Sequence, residues 1–293
     1  MTDPSHRFKL LAAFFALYVI WGSTYFAIRI GVEYWPPFMM AGVRFLAAGS
    51  LMYAWLRWRG EANPTWQELR GGAILGVLMP AIGNGFVTLA EKDVSSGVAA
   101  LVVATVPLFA TLFARFFGHV PRKMEVAGIL LGIVGMVVLN MGANLQASPA
   151  GAAALLFASA GWAFGSAWSK QLVQPKGLMS SAVMMISGGV ALLLGSAATG
   201  EQLAANPPLA GWLAVAYLAF FGSMVAYTAY LFLLKNVSAA AATSYAYVNP
   251  VIAVLLGVWL LDEHVGLHEM GAMAIIVLAV VLIGWRPKAR RDG

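Results

Sequence analysis

Residues 94–113 read VSSGVAALVVATVPLFATLF, and residues 237–256 read VSAAAATSYAYVNPVIAVLL. Both stretches begin with Val-Ser and carry one central proline, so that Pro107 and Pro250 lie 143 residues apart. The same offset relates other positions of the chain without a gap. These are Gly22-Ser23 with Gly165-Ser166, Lys92 with Lys235, and Gly128 with Gly271. A constant offset of this kind is rare by chance, and it predicts two copies of one structural unit.

The composition is typical of a membrane protein. Of the 293 residues, 61% are hydrophobic and 10% are charged, whereas soluble domains carry roughly 25% charged residues. The chain has no cysteine, which excludes disulfides and thiolate chemistry. The net charge of +6 comes from short basic clusters between apolar runs, a pattern of membrane orientation. We therefore expect the lipid bilayer as a partner and no nucleic acid.

Ten apolar runs are long enough to cross a bilayer, which takes about twenty residues each. They cover residues 8–31, 37–57, 69–91, 95–117, 123–142, 150–173, 179–199, 209–234, 238–261 and 267–285. The predicted fold is an all-α polytopic membrane protein with ten transmembrane helices. Its two five-helix repeats are predicted at residues 8–142 and 150–285. An odd number of spans in each repeat inserts the second one upside down, as in many transporters.

The basic residues predict the orientation. With the N-terminus inside, only Arg29 and Lys92 face outward and Arg44 lies within a span, while the other Lys and Arg face the cytoplasm. This distribution satisfies the positive-inside rule. It predicts a multi-pass protein of the bacterial inner membrane with cytoplasmic N- and C-termini.

Ionisable side chains are scarce inside the spans. Arg44 is the clearest one, and it either anchors a substrate carboxylate or is satisfied by backbone carbonyls and snorkelling. No carboxylate or histidine lies well inside a span, with Glu91 and Glu125 the nearest candidates. We therefore expect no catalytic residue, no metal site and no cofactor, and no transport driven through an intramembrane carboxylate.

Polar and aromatic residues within the spans form the candidate substrate site. Pro80, Gly83 and Asn84 interrupt the third span, where the break either lines a cavity or forms a packed kink. Trp21 and Trp162 lie deep in the first helix of each repeat, where they either line a cavity or pack between helices. The candidate substrate-binding residues are Trp21, Asn84, Trp162, Tyr227, Ser244 and Tyr247.

Prolines in equivalent places of the two repeats are the candidate hinges. Pro107 and Pro250 lie in the middle of the fourth span of each repeat, and they predict symmetric kinks. Each kink either takes part in gating or is a fixed bend. Together with Pro80 and Gly83 they complete the candidate gating and hinge positions.

These features resemble the EamA-type drug/metabolite transporters. Each repeat opens with a Trp/Gly/Ser-rich helix, Trp21-Gly22-Ser23-Thr24 in the first and GWAFGS at residues 161–166 in the second. Asn249-Pro250-Val251, followed by Asp262-Glu263 and Gly271, is similar to the family pattern, whereas in the first repeat Gly118-His119 replaces the acidic position. Within that superfamily the chain is similar to YddG-type exporters of aromatic amino acids. The resemblance implies a central cavity between the repeats, lined by the first, third and fourth helices of each, and alternating access.

The function expected from these patterns is that of a monomeric carrier for a small-molecule substrate. We expect it to export amino acids, aromatic and other amphipathic ones, and related metabolites. Aromatic stacking and a few hydrogen bonds would hold the solute. A multidrug or other metabolite efflux carrier is the alternative, and an intramembrane enzyme is a remote one.

Overall fold

The structure is a computed structural model, and it describes residues 4–94, 99, 102–141, 149–203, 206–249, 251–252 and 267–284. All regular secondary structure among these residues is helical, and turns and irregular segments connect the helices. Two π-helical segments, π1 and π2, interrupt the α-helices. In chain order the elements are α1 (Pro4–Tyr34), α2 (Pro37–Trp58), α3 (Trp66–Gly76), π1 (Val77–Asn84), α4 (Gly85–Ala90), α5 (Val106–Phe116), α6 (Lys123–Asn140), α7 (Pro149–Trp168), α8 (Gly177–Ala198), α9 (Leu209–Tyr217), π2 (Leu218–Ala226), α10 (Tyr227–Asn236), α11 (Ala239–Thr243) and α12 (Leu267–Gly284).

The described residues include six helices that are long and apolar enough to cross a membrane. They are Ser5–Tyr34, Pro37–Trp58, Trp66–Ala90, Pro149–Trp168, Gly177–Ala198 and Leu209–Asn236. Shorter apolar helices cover Val106–Phe116 and Met270–Ile283. The predicted all-α membrane fold is thus confirmed. The count of ten spans stays a prediction, because parts of spans 95–117 and 238–261 lie outside the described residues.

A local sequence signal sets the start of one helix, and a distant carboxylate caps another. Thr65 precedes α3, and its side chain and that of Glu68 form a reciprocal capping box. A distant residue caps α2 instead. The Glu201 carboxylate accepts the N–H groups of Phe38 and Met39 at 3.1 and 2.9 Å. A carboxylate stabilises a helix N-terminus by satisfying free N–H donors and the helix dipole, so this contact joins the loop after α8 to the start of α2.

Helices that precede residue 142, the first half, pack mainly on helices that follow residue 148, the second half. α2 packs along α8, and α6 packs along α12. α1 packs on α9, π2 and α10, whereas α7 packs on π1, α4 and α5. Small residues allow close approach of α2 and α8. A Cβ atom on Gly49 would lie 2.8 Å from the Ile186 nitrogen, and one on Gly189 would lie 2.6 Å from the Leu46 nitrogen.

The two π-helical segments lie in equivalent parts of the two halves. An offset of 143 residues moves π1 onto residues 220–227, which overlap π2. Pro80 lies inside π1 and cannot donate a backbone hydrogen bond, which accounts for the local change of helix type. π2 contains no proline, and nothing in its own sequence explains its geometry. The predicted interruption of the third span at Pro80 is therefore a π-helical turn within a continuous helix.

Candidate functional site

A central cavity lies between the first and second halves. It contains about 570 Å³ of space that no atom fills, part of which is open to solvent. Its walls come from α1, α2, π1, α4, α5, α7 and the helical residues 245–249. On α1 the lining residues are Trp21, Thr24, Tyr25 and Ile28. The cavity therefore extends from Trp21 toward the C-terminal end of α1.

Two tryptophans form one wall of this cavity. The indole rings of Trp21 and Trp162 meet edge to face with centroids 5.5 Å apart. Trp21 Nε1 donates to the Gly222 carbonyl of π2 at 2.9 Å, and Trp162 Nε1 donates to the Tyr230 hydroxyl at 3.0 Å. Because both N–H groups already have partners, the aromatic surfaces are what this wall offers to a solute.

Each tryptophan packs on the π-helical segment of the opposite half. Trp21 of α1 bonds to π2, and Trp162 of α7 lies against Gly83 of π1. A Cβ atom at Gly83 would lie only 2.6 Å from Trp162 Cε3. The glycine therefore provides the space that the indole ring occupies.

An aromatic cluster closes the cavity on the side of the α1 N-terminus. Tyr245 meets the ring of Trp21 at 4.6 Å and that of Tyr230 at 5.6 Å, both edge to face. One turn nearer the start of α1, the hydroxyl groups of Tyr18 and Ser244 are hydrogen-bonded at 2.7 Å. These contacts join the first and second halves on the side of the cavity that is nearer the N-terminus of α1.

Four polar side chains from different elements line the cavity with unpartnered buried atoms. These atoms are Nε and Nη1 of Arg44, Oδ1 of Asn84, Oγ of Ser159 and Oδ1 of Asn249, none of which has a hydrogen-bond partner among the described residues. Unpaired buried polar atoms are uncommon in proteins because they forfeit their hydration. Five such atoms around one cavity indicate that a polar solute or water completes their hydrogen bonds.

The charged residues near the cavity are two arginines and one glutamate. Glu91 follows α4, is only 3% exposed and has Arg29 and Arg44 as its charged neighbours. Arg29 Nη1 donates to the Glu91 carbonyl at 3.3 Å. Arg44 forms no ion pair with any carboxylate that the structure describes, and its guanidinium lies 4.3 Å from the centroid of the Phe45 ring. Two guanidiniums near one carboxyl group leave a net positive charge.

The structure brings some of the predicted binding residues together and separates others. Trp21, Asn84 and Trp162 line the cavity, whereas Tyr227, Ser244 and Tyr247 do not. Tyr227 is buried behind Trp162, with ring centroids 6.0 Å apart, and Ser244 is bonded to Tyr18. The Tyr247 hydroxyl donates to the Ile129 carbonyl of α6 at 3.2 Å. A role of these six residues in substrate binding stays a prediction.

The candidate hinges have different positions. Gly83 lines the cavity and Pro80 lies one turn before it in π1. Pro107 is the second residue of α5, where a missing N–H leaves no helix hydrogen bond unmade. Pro250 lies outside the described residues. The gating or hinge role of all four stays a prediction.

Sequence reasoning missed several lining residues that a helical register would have found. Tyr25 lies one turn after Trp21 on α1, and Ser159 lies one turn before Trp162 on α7. Residues three or four apart share a helix face, so each deep tryptophan predicts its neighbours. Glu91 was, with Glu125, the nearest candidate for a carboxylate within a span, but nothing in the sequence indicates its burial beside Arg44.

Comparison with known proteins supports the sequence resemblance. The model of the "EamA-like transporter family" matches residues 8–141 and 149–285. The "Uncharacterized inner membrane transporter YedA" of Escherichia coli (strain K12) is 54% identical over 275 residues, which cover 94% of this chain and 90% of the relative. The "Uncharacterized transporter YdfC" of Bacillus subtilis (strain 168) is 25% identical over 268 residues, which cover 90% and 85%.

A solved structure supports the fold. One crystal structure, 23% identical in sequence, superposes with a TM-score of 0.78 over 94% of this chain and 98% of the other. Family match, close relative and fold agree with the apolar helices and the central cavity. The chain belongs to the EamA-like transporter family and is a membrane transporter.

Proposed function

We propose that this transporter is a monomeric inner-membrane carrier that exports amino acids, chiefly aromatic and other amphipathic ones, and related metabolites. The observation that carries the proposal is the mixed lining of the central cavity. Trp21 and Trp162 offer aromatic surface, and the buried polar atoms of Asn84, Ser159 and Asn249 lack partners among the described residues. An amphipathic solute has both an apolar part and a few hydrogen-bonding groups, so it matches both kinds of wall.

Alternating access between two inverted repeats is the proposed mechanism. In this proposal ten spans form repeats at residues 8–142 and 150–285, and both termini are cytoplasmic. Three observations support it: the family model matches the chain twice, helices pair across the two halves, and the π-helical segments correspond at the repeat offset. A substrate site between inverted repeats is typical of such carriers.

The position of the cavity supports an outward-open arrangement under this topology. The cavity extends from Trp21 toward the end of α1, and Tyr18, Ser244, Tyr230 and Tyr245 close the opposite side. With a cytoplasmic N-terminus, the closed side faces the cytoplasm. Transport then requires the aromatic cluster to separate while the outer side closes.

The test is counterflow of labelled phenylalanine into proteoliposomes preloaded with unlabelled solute. We expect saturable uptake that the preload enhances, and a loss of about tenfold in apparent affinity in Trp21→Ala and Trp162→Ala, because each removes aromatic contact area. Trp66→Ala is the matched control, since Trp66 is 78% exposed. Uptake equal to that of empty liposomes, or unchanged kinetics in both cavity variants, contradicts the proposal.

A multidrug carrier is the second candidate, favoured by the same aromatic wall. Many drug-like efflux substrates are lipophilic cations, which a free guanidinium in the cavity repels. Competition with tetraphenylphosphonium separates the two candidates. We expect this cation to inhibit phenylalanine counterflow only weakly, whereas strong inhibition together with absent phenylalanine transport favours the multidrug function.

A further inference from the structure

The aromatic character of the cavity does not explain why a charged residue, Arg44, lines it. Arg44 lies on α2, is 2% exposed and lines the cavity, and its Nε and Nη1 have no partner among the described residues. Buried cations within membranes are unfavourable unless a counter-charge or polar partner compensates them. Nε and Nη1 of Arg44 therefore lack the hydrogen-bond acceptors that a buried guanidinium needs.

The charged residues around Arg44 do not supply a partner for its guanidinium. Its charged neighbour is Glu91, which also lies near Arg29, and Arg29 donates to the Glu91 backbone carbonyl. Arg44 itself forms no ion pair with a described carboxylate. The contact with the Phe45 ring is a weak cation–π interaction that leaves Nε and Nη1 without a hydrogen-bond acceptor. A further negative charge would reduce the net positive charge of this group of three residues.

We propose that Arg44 binds the carboxylate of the transported solute. The inference rests on the proposed carrier function and narrows its substrates to carboxylates, among which α-amino acids fit the lining in full. The planar N–H donors of a guanidinium match a carboxylate well. The Oδ1 atoms of Asn84 and Asn249 are acceptors suited to the ammonium group, and Trp21 with Trp162 faces the side chain.

Two solutes of nearly the same shape, one anionic and one neutral, test the subsite. They are 3-phenylpropionate and its neutral isostere 3-phenylpropionamide, and neither needs to be transported. Binding to the purified full-length protein is titrated through the rise of its thermal unfolding temperature. We expect the wild type to bind the carboxylate at least about tenfold more tightly than the amide, because a charged hydrogen-bonded pair is lost in the amide.

Variants assign that preference to Arg44. Arg44→Gln should bind both solutes with equal affinity, and Arg44→Lys should keep part of the preference. Arg29→Gln is the matched control, because Arg29 is an exposed arginine beside the same Glu91 and does not line the cavity. It should keep the full preference. Arg44→Met, which retains the apolar volume, replaces Arg44→Gln if the latter does not fold.

The outcomes separate this inference from the proposed function. Equal binding of the two solutes by the wild type overturns the subsite, and so does a full preference in Arg44→Gln or Arg44→Met. A preference lost equally in Arg29→Gln overturns it as well, since the effect is then a general field rather than a contact. If the Arg44-dependent preference is present but phenylalanine counterflow is absent, the carboxylate subsite stands and the amino acid assignment fails.

Discussion

At the scale of single residues, the buried charge of Arg44 favours binding of an anionic solute but lowers the stability of the folded protein. Its guanidinium is buried and has unpartnered donors among the described residues. Removing such a group from water is unfavourable unless a partner of opposite charge is present. The carboxylate of a bound solute would supply that partner, so the unfavourable term applies mainly to the protein without its substrate.

This argument predicts that Arg44→Met stabilises the protein in the absence of substrate. Replacing an uncompensated buried charge by an apolar side chain of similar volume is neutral or stabilising, by roughly 1 kcal/mol or more. The measurement is thermal unfolding in detergent without added solute, compared with wild type. A fall of several degrees in the midpoint would show instead that Arg44 is a structural cation held by its surroundings.

Which deep aromatic residues line the cavity was only partly predictable. Trp21 and Trp162 were selected by depth in the membrane and do line it, but Tyr247 met the same criterion and lies against α6. Its place depends on Gly132, where a Cβ would lie 2.8 Å from the Tyr247 ring. Helices that are apolar on all sides carry no stripe that fixes their rotation, so packing between helices decides it.

At the scale of elements, the π-helical segments bring backbone to the cavity tryptophans. π2 offers the Gly222 carbonyl to Trp21, and π1 offers the bare backbone of Gly83 to Trp162. Pro80 and Gly83 predicted an interruption of the third span. The equivalent segment π2 lacks a proline, so only its position at the repeat offset from π1 relates it to that interruption. π-helical turns are frequent at functional sites because they free or displace backbone groups.

The packing of π1 predicts the effect of adding one methyl group. Gly83→Ala places a Cβ 2.6 Å from the Trp162 ring, so the indole, which lines the cavity, must shift. We expect a destabilisation of roughly 1–3 kcal/mol from overpacking and a weaker apparent affinity for the solute. Thermal unfolding and counterflow of the same preparation measure both effects.

Gly195→Ala is the matched control for this substitution. Gly195 lies in α8, and a Cβ there meets nothing within 4 Å. Alanine in a helix is favoured over glycine by roughly 0.5–1 kcal/mol, so the control should be neutral or slightly stabilising with normal transport. Equal behaviour of the two variants contradicts the role assigned to Gly83.

At the scale of the whole molecule, contacts between the halves connect the closed side to the cavity. Trp21 belongs both to the cavity wall and to the aromatic cluster, through Tyr245 and Tyr230. The membrane fold and the family were predictable, because apolar runs and repeat spacing are properties of the sequence itself. The closed side of the cavity was not predictable from the sequence, since the hydrogen bond between Tyr18 and Ser244 joins residues that are 226 positions apart.

The lack of cysteine gives a simple way to follow the two sides of the protein. Because the natural chain contains none, one introduced cysteine is the only site for a maleimide. Val87 lines the cavity and is half-buried, so Val87→Cys reports access to it. Under the proposed topology, a membrane-impermeant maleimide should react with Val87→Cys when added outside the cell and much less when added to inside-out vesicles.

Removing one hydrogen bond from the closed side should shift this access. Tyr18→Phe keeps the ring and its packing against Phe14 but loses the 2.7 Å bond to Ser244. A hydrogen bond contributes about 1 kcal/mol, so the population open toward the cytoplasm should rise about fivefold relative to the outward-open one. Labelling of Val87→Cys should then fall outside and rise in inside-out vesicles. Labelling from the cytoplasmic side alone in the Val87→Cys parent would reverse the proposed orientation, and an unchanged ratio in Tyr18→Phe would remove this bond from the closed gate.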